Sequence, residues 1–212
     1  MPRVLVVMDV DSTVIEQEVI ELLAVHAGVE NDVRNITDAA MRGELDFEAS
    51  LRARVALLRG VPVSAFDEVS AMVRLTRGAR ELCDALHADG HHVALVSGGF
   101  DVVVERIAHD LGVRYFRANR LETNNGLLTG ELIGDIIDRS TKAVLLKTYA
   151  KDLGVSMSHT IAVGDGANDI DMVEAAAIGV AFAAKPALQA VADVIIEERD
   201  LRRVLPIVDR LL

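Results

Sequence analysis

Residues 4–14 read VLVVMDVDSTV, an apolar run that halts on two aspartates, Asp9 and Asp11, separated by a single residue. A short, nearly continuous apolar run of this kind predicts a strand buried on both faces, as in a parallel sheet covered by helices. Read as RVLVVM (3–8), the run recurs in HHVALVS (91–97), TIAVGD (160–165), IGVAFA (178–183) and ADVIIE (192–197). Between these runs Val104, Ile107, Ala108 and Leu111 keep helical spacing, as do Leu146, Tyr149, Ala150 and Leu153. The alternation predicts an α/β fold built on a Rossmann-like parallel sheet.

Two regions depart from this rhythm. RANRLETNNGLLTGEL has alternating segments around Asn-Asn-Gly, which predicts a small β-hairpin. From about Glu16 to Arg74 no strand pattern is found, but amphipathic stretches occur, such as Val19, Leu22 and Leu23, or Phe47, Leu51, Arg54 and Leu58. The expected organisation is a catalytic core of residues 1–15 and 75–212 with a helical cap, residues 16–74, inserted after the first strand.

Composition bounds the function. The chain has 212 residues, 51% of them hydrophobic, enough to bury a real core. Its net charge of −11 argues against a nucleic-acid footprint. A single cysteine, Cys83, excludes an internal disulfide and any multi-cysteine metal site. No leader pattern or membrane-length apolar run is found, so a soluble cytoplasmic protein without membrane contact is expected. The oligomeric state is left open between monomer and homo-oligomer.

In an open α/β sheet, ligands bind beyond the carboxyl ends of the strands, where Asp9 and Asp11 fall. Two close carboxylates repel unless a cation lies between them. Taken alone, the pair reads rather as a solvated strand end capping the next turn. Two further strand ends add to it. VSGG supplies the Ser97 hydroxyl, with Gly98 and Gly99 permitting close backbone approach to an anion, and VGDGAND supplies Asp165, Asn168 and Asp169. Hard oxygen ligands on several strand ends suit Mg2+ with phosphate oxygens. The six histidines show no metal-binding spacing.

DVDST, SGG, a lysine near a helix start and GDGANDIDM resemble, in this order, the motifs of the haloacid dehalogenase-like phosphatases. EQEVIELLA, MRGELDFEASLRARVALLRG, LVSGGF and AKPALQAVADVIIEERDLR narrow the resemblance to the phosphoserine phosphatase family, over nearly the whole chain. The resemblance implies a Mg2+-dependent phosphomonoesterase working through an aspartyl phosphate. Asp9 would be the nucleophile and Asp11 the general acid and base, with Thr13 orienting the loop or the phosphoryl group. Mg2+ would be held by Asp9, the Asp11 carbonyl and Asp165, with Asp169 acting through water. Ser97, Gly98, Gly99, Lys142 and Asn168 would bind phosphate.

Lys142 is chosen over Lys147 and Lys151 by the family pattern; Lys185 receives no role. The resemblance also implies that Glu18 and Arg54 read the ammonium and carboxylate of a small phosphorylated amino acid. Phe47, seven residues from Arg54 and so on the same helix face, would exclude water. Without the resemblance, Glu18 and Arg54 read as solvated helix faces. Two rival functions remain: the same chemistry, or phosphotransfer, on another small phosphomonoester, and a non-catalytic phosphometabolite-binding protein. Because the chain begins just before its first strand, no amino-terminal regulatory domain is expected.

Overall fold

The computed structural model describes residues 2–41 and 44–212. Arg42 and Gly43, inside the segment MRGELDF, and Met1 lie outside the described residues. The chain runs β1 Leu5–Met8, α1 Val19–Ala27, α2 Glu30–Met41, α3 Phe47–Ala56, α4 Ala65–Met72, α5 Ala79–Ala88, β2 His92–Phe100 and α6 Asp101–Asp110. It continues through β3 Tyr115–Asn124, β4 Leu127–Ile133, α7 Arg139–Asp152, β5 Thr160–Gly164, α8 Ile170–Ala175, β6 Ile178–Phe182, α9 Pro186–Gln189, β7 Val194–Ile196 and α10 Leu205–Val208.

The strands form one seven-stranded sheet in the order β4-β3-β2-β1-β5-β6-β7. Its pairs are parallel except β3 with β4, which form the predicted hairpin and extend the sheet at one edge. The apolar runs are continuous because alternate residues enter different cores. Val6 and Met8 pack with α5, α6 and the helices that follow β1; Leu5 and Val7 pack with α7 and α8. The chain leaves β1 toward β2 on one side and returns to β5 on the other, which opens a crevice at the carboxyl end of β1.

Helices α1–α4 lie between β1 and α5 and add no strand to this sheet. Their entry and exit pair with each other: Ile15 bridges Leu75, Glu16 N–H donates to Arg74 O (3.0 Å), and Thr76 N–H to Val14 O (2.9 Å). A second tie was not visible in the sequence. Residues 60–63 bond the outer edge of β4, with Gly60 N–H donating to Leu128 O, Leu128 N–H to Val61 O and Val63 N–H to Gly126 O, at 2.8–2.9 Å. The segment GVPVSAF (60–66) thus covers a sheet edge that would otherwise be open. No described helix is long and apolar enough to cross a membrane.

Candidate active site

Three neighbouring central strands bring the polar motifs together. Asp9 follows β1, Ser97–Gly99 lie in β2, and Asp165 follows β5. A cleft of about 770 Å³ opens above them, lined by Asp9, Asp11, Gly98, Gly99, Asp165 and Asn168 from the sheet side. From the helical insertion it is lined by Glu18, Phe47 and Arg54. Ser97, Thr13, Lys142 and Asp169 are buried around its floor.

Lys142 is fully buried, and its ammonium donates to Asp9 Oδ1 and, at 2.6 Å, to Asp169 Oδ1. It is the fourth residue of α7, whose first turn is fixed by Asp138 accepting the Thr141 N–H at 2.8 Å. The side chain therefore points back over the helix start into the acidic floor. Burial would lower its pKa, but Asp169 and Asp9 carry it above the ordinary lysine value, so the amine stays charged. Asp169 also accepts the N–H groups of Asp165 and Gly166. Its carboxylate packs so close to Gly164 that a Cβ there would lie 2.4 Å from Asp169 Cγ.

Burial raises Asp9 well above the usual carboxylate range, with Lys142 opposing and Asp169 and Asp165 adding to the rise. Burial and Asp169 likewise push Asp165 to about 6. Carboxylate oxygens of Asp9, Asp165 and Asp169 lie within 4.8 Å of one another, a hard-oxygen cluster compatible with a metal ion. Since Asp169 is already bonded to Lys142 and two backbone amides, Asp9 and Asp165 are the carboxylates best able to offer an oxygen.

Asp11 differs from Asp9. Its Oδ2 accepts the Val19 N–H (3.3 Å), whereas Oδ1 is buried without a partner. Burial, then the charge of Glu18, pushes it to about 8, which favours its protonated form. The close approach of the glycine wall requires Gly99, since a Cβ there would lie 2.8 Å from Asp11 Oδ2 and 3.0 Å from Ser97 Oγ. Ser97 Oγ accepts the Gly99 N–H at 2.8 Å, leaving its own proton free to donate.

On the insertion side, Asp46 caps α3 by accepting the Ala49 N–H at 2.7 Å. This orients Phe47 against Gly98, where an added Cβ would stand 3.1 Å from the ring. Arg54 donates from Nε to Ser50 O (3.2 Å), and burial lowers its pKa while Glu18 and Glu21 raise it. Ser12 donates to Glu18 Oε1 at 2.6 Å.

Sequence reasoning missed Ser12, whose DST position reads as a plain cap, and Ser50, Glu21, Arg139 and Lys185, which also line the cleft. Arg139 pairs with Asp171 at 2.5 Å. Lys147 and Lys151 are exposed.

The profile of the haloacid dehalogenase-like hydrolases matches residues 6–174. The phosphoserine phosphatase of Lactococcus lactis is 51% identical over 207 residues, 98% of this chain and 96% of its own length. That of Streptococcus thermophilus is 49% identical over 205 residues, covering 97% and 95%. A solved phosphoserine phosphatase with a phospho-aspartyl intermediate analogue superposes with a TM-score of 0.92 at 43% identity, covering 98% of this chain and all of the other. A substrate-bound phosphoserine phosphatase complex gives 0.93 at 42% identity, covering 98% and 99%.

Proposed function

The chain belongs to the haloacid dehalogenase-like hydrolases, in their phosphoserine phosphatase branch, and we propose that Asp9, Asp11 and Lys142 carry its reaction between the sheet and a substrate-selecting cap, residues 16–74. The reaction is hydrolysis of O-phosphoserine to serine and inorganic phosphate through an aspartyl phosphate. One observation carries the assignment of roles: of the two aspartates, Asp9 accepts from the charged Lys142 ammonium, whereas Asp11 keeps a buried carboxyl oxygen without a partner.

Asp9 attacks phosphorus as the bond to the serine oxygen breaks, and Asp11 passes its proton to that oxygen. Water then attacks the aspartyl phosphate, Asp11 takes the water's proton, and the Asp9 oxygen leaves phosphorus. Lys142, Ser97 and the Gly98–Gly99 wall hold the phosphoryl oxygens, with Asn168 beside them. Asp9, Asp165 and the Asp11 carbonyl would hold Mg2+, with Asp169 acting through water. The cation would offset repulsion between the carboxylate and the phosphate dianion. Glu18 takes the ammonium, Arg54 the carboxylate, and Phe47 keeps water from the pair. An enzyme releasing free serine fits serine biosynthesis, and we assign it to the cytoplasm.

Phosphate release from phosphoserine, phosphothreonine, phosphohomoserine and an aryl phosphate, with Mg2+ and with chelator, tests the reading. Phosphoserine should be best and chelator should stop all four. A protein that hydrolyses the aryl phosphate while ignoring phosphoserine would be a phosphatase with another substrate.

A further inference from the structure

Asn119 stands on β3 where the parallel ladder with β2 breaks. Val96 pairs with Arg117 and Phe100 with Asn119, so Ser97, Gly98 and Gly99 face Ala118 alone. The two surplus residues push the SGG segment out of the ladder, a device that re-aims groups beside active sites. Leaving the ladder strips backbone groups of their strand partners in a place where each needs one.

The Asn119 side chain, 1% exposed, supplies the missing partner. Its Nδ2 donates to the Gly98 carbonyl at 2.9 Å, and its Oδ1 accepts the Ile137 N–H at 2.8 Å. The partners fix the amide's orientation, because a carbonyl can only accept and a backbone N–H can only donate. Ile137 immediately precedes Asp138, the cap of α7, and α7 carries Lys142. The Ile137 carbonyl also lies 3.8 Å from the point a Cβ on Gly98 would occupy. One buried carboxamide thus joins the glycine wall to the start of the lysine helix.

We propose that Asn119 is a positioning residue for phosphoryl transfer, setting the separation between the Ser97–Gly99 wall and the Lys142 helix. The inference rests on the assignment of those two elements to the phosphoryl group. Few side chains can do this, since the site needs one donor and one acceptor on a single short branch. Aspartate keeps the acceptor for Ile137 but sets an oxygen against the Gly98 carbonyl. Leucine keeps the volume and loses both bonds.

The test is steady-state hydrolysis of phosphoserine and an aryl phosphate by Asn119→Asp and Asn119→Leu with Mg2+, together with inhibition by inorganic phosphate and thermal melting. Small misplacements of a reacting group cost about 100-fold, so kcat/KM should fall roughly 10- to 1000-fold, by the same factor on both substrates. Inhibition by phosphate should weaken about tenfold or more on the same ground. The ratio of the two activities should hold, because Glu18 and Arg54 are untouched. Lower melting temperature with wild-type kcat and phosphate inhibition per folded molecule would overturn the proposal, as would a changed ratio.

Should neither variant fold, the Asn119 side-chain amide resonance of the wild-type protein can be followed as phosphate is added. It should move with saturation, and a fixed resonance would overturn the proposal. Wild-type protein that releases no phosphate from phosphoserine would sink the functional reading and this inference together. Active wild type with unaffected variants would sink this inference alone.

Discussion

The carboxyl edge of the sheet and the helical insertion face one cleft but hold their polar groups in different ways. At the sheet edge Lys142, Asp169 and Asn119 are buried and each is bonded to at least two partners. On the insertion, Glu18 and Arg54 are half-buried, and among the described residues their side chains rest on one hydrogen bond each, to Ser12 and to the Ser50 carbonyl. Groups that must meet developing charge gain from a dry site prepared in advance. Groups that read a substrate must stay accessible to it. The difference fits the proposed division of labour, with chemistry in the sheet and selection in the insertion.

The largest effect should come from the sheet side and fall on every substrate alike. Asp9→Asn keeps the shape but removes the proposed nucleophile, and turnover of phosphoserine and of an aryl phosphate should both drop by about 10⁴-fold or more. Substantial turnover of either by a clean preparation would end the assignment.

Next comes Arg54→Ala, which should separate the two substrates. Loss of a charge-assisted bond to a buried carboxylate should cost roughly 2–5 kcal/mol, about 30- to 5000-fold in kcat/KM for phosphoserine. The aryl phosphate has no carboxylate and should lose much less. Equal losses would make Arg54 a support of the cleft and erase the proposed division.

The comparison also explains what the sequence made legible. The sheet was readable because both its faces are buried, so β1, β2, β5 and β6 appear as continuous apolar runs ending on polar motifs. Asp9, Gly98 and Asp165 follow from that, since strand ends in a parallel sheet converge at one edge. Asn119 was not legible: nothing in RANRLE marks a side chain that repairs a ladder, because the bulge appears only once β2 and β3 are paired. Residues 60–63 stayed hidden for the same reason, being bonded to β4 across more than sixty positions. Glu18 and Arg54 carry no local pattern that sets them apart from solvated helix charges, and only resemblance singled them out.

A third effect divides the two aspartates within the sheet edge. Asp11 is pushed to about 8, chiefly by burial and then by Glu18, so it is protonated below that pH and able to donate. Above it, kcat/KM for phosphoserine should fall by about tenfold per pH unit, while an aryl phosphate with an acidic phenol leaving group should stay nearly flat. Asp11→Asn should remove this difference in pH dependence. Parallel profiles for both substrates, with chemistry rate-limiting, would take Asp11 out of the acid role.

The smallest effect lies where the two regions touch. Ser12 belongs to the loop after β1 that carries Asp9 and Asp11, but its hydroxyl serves the insertion, donating to Glu18 at 2.6 Å. Its backbone is in the left-handed region (φ 59), and Arg199 holds its carbonyl at 2.5 Å. Ser12→Ala removes the hydroxyl without removing that hold, and one partly exposed hydrogen bond is worth roughly 1 kcal/mol, or about fivefold in kcat/KM. If the bond only orients Glu18 toward an ammonium, the loss should appear with phosphoserine and be absent with the aryl phosphate. Ser12→Gly separates this from backbone strain, since glycine relieves the positive φ and lacks the hydroxyl equally. Matching fivefold losses on phosphoserine for both variants would assign the effect to the hydroxyl. A loss on both substrates, repaired by glycine, would assign it to the catalytic loop and move Ser12 from selection to chemistry.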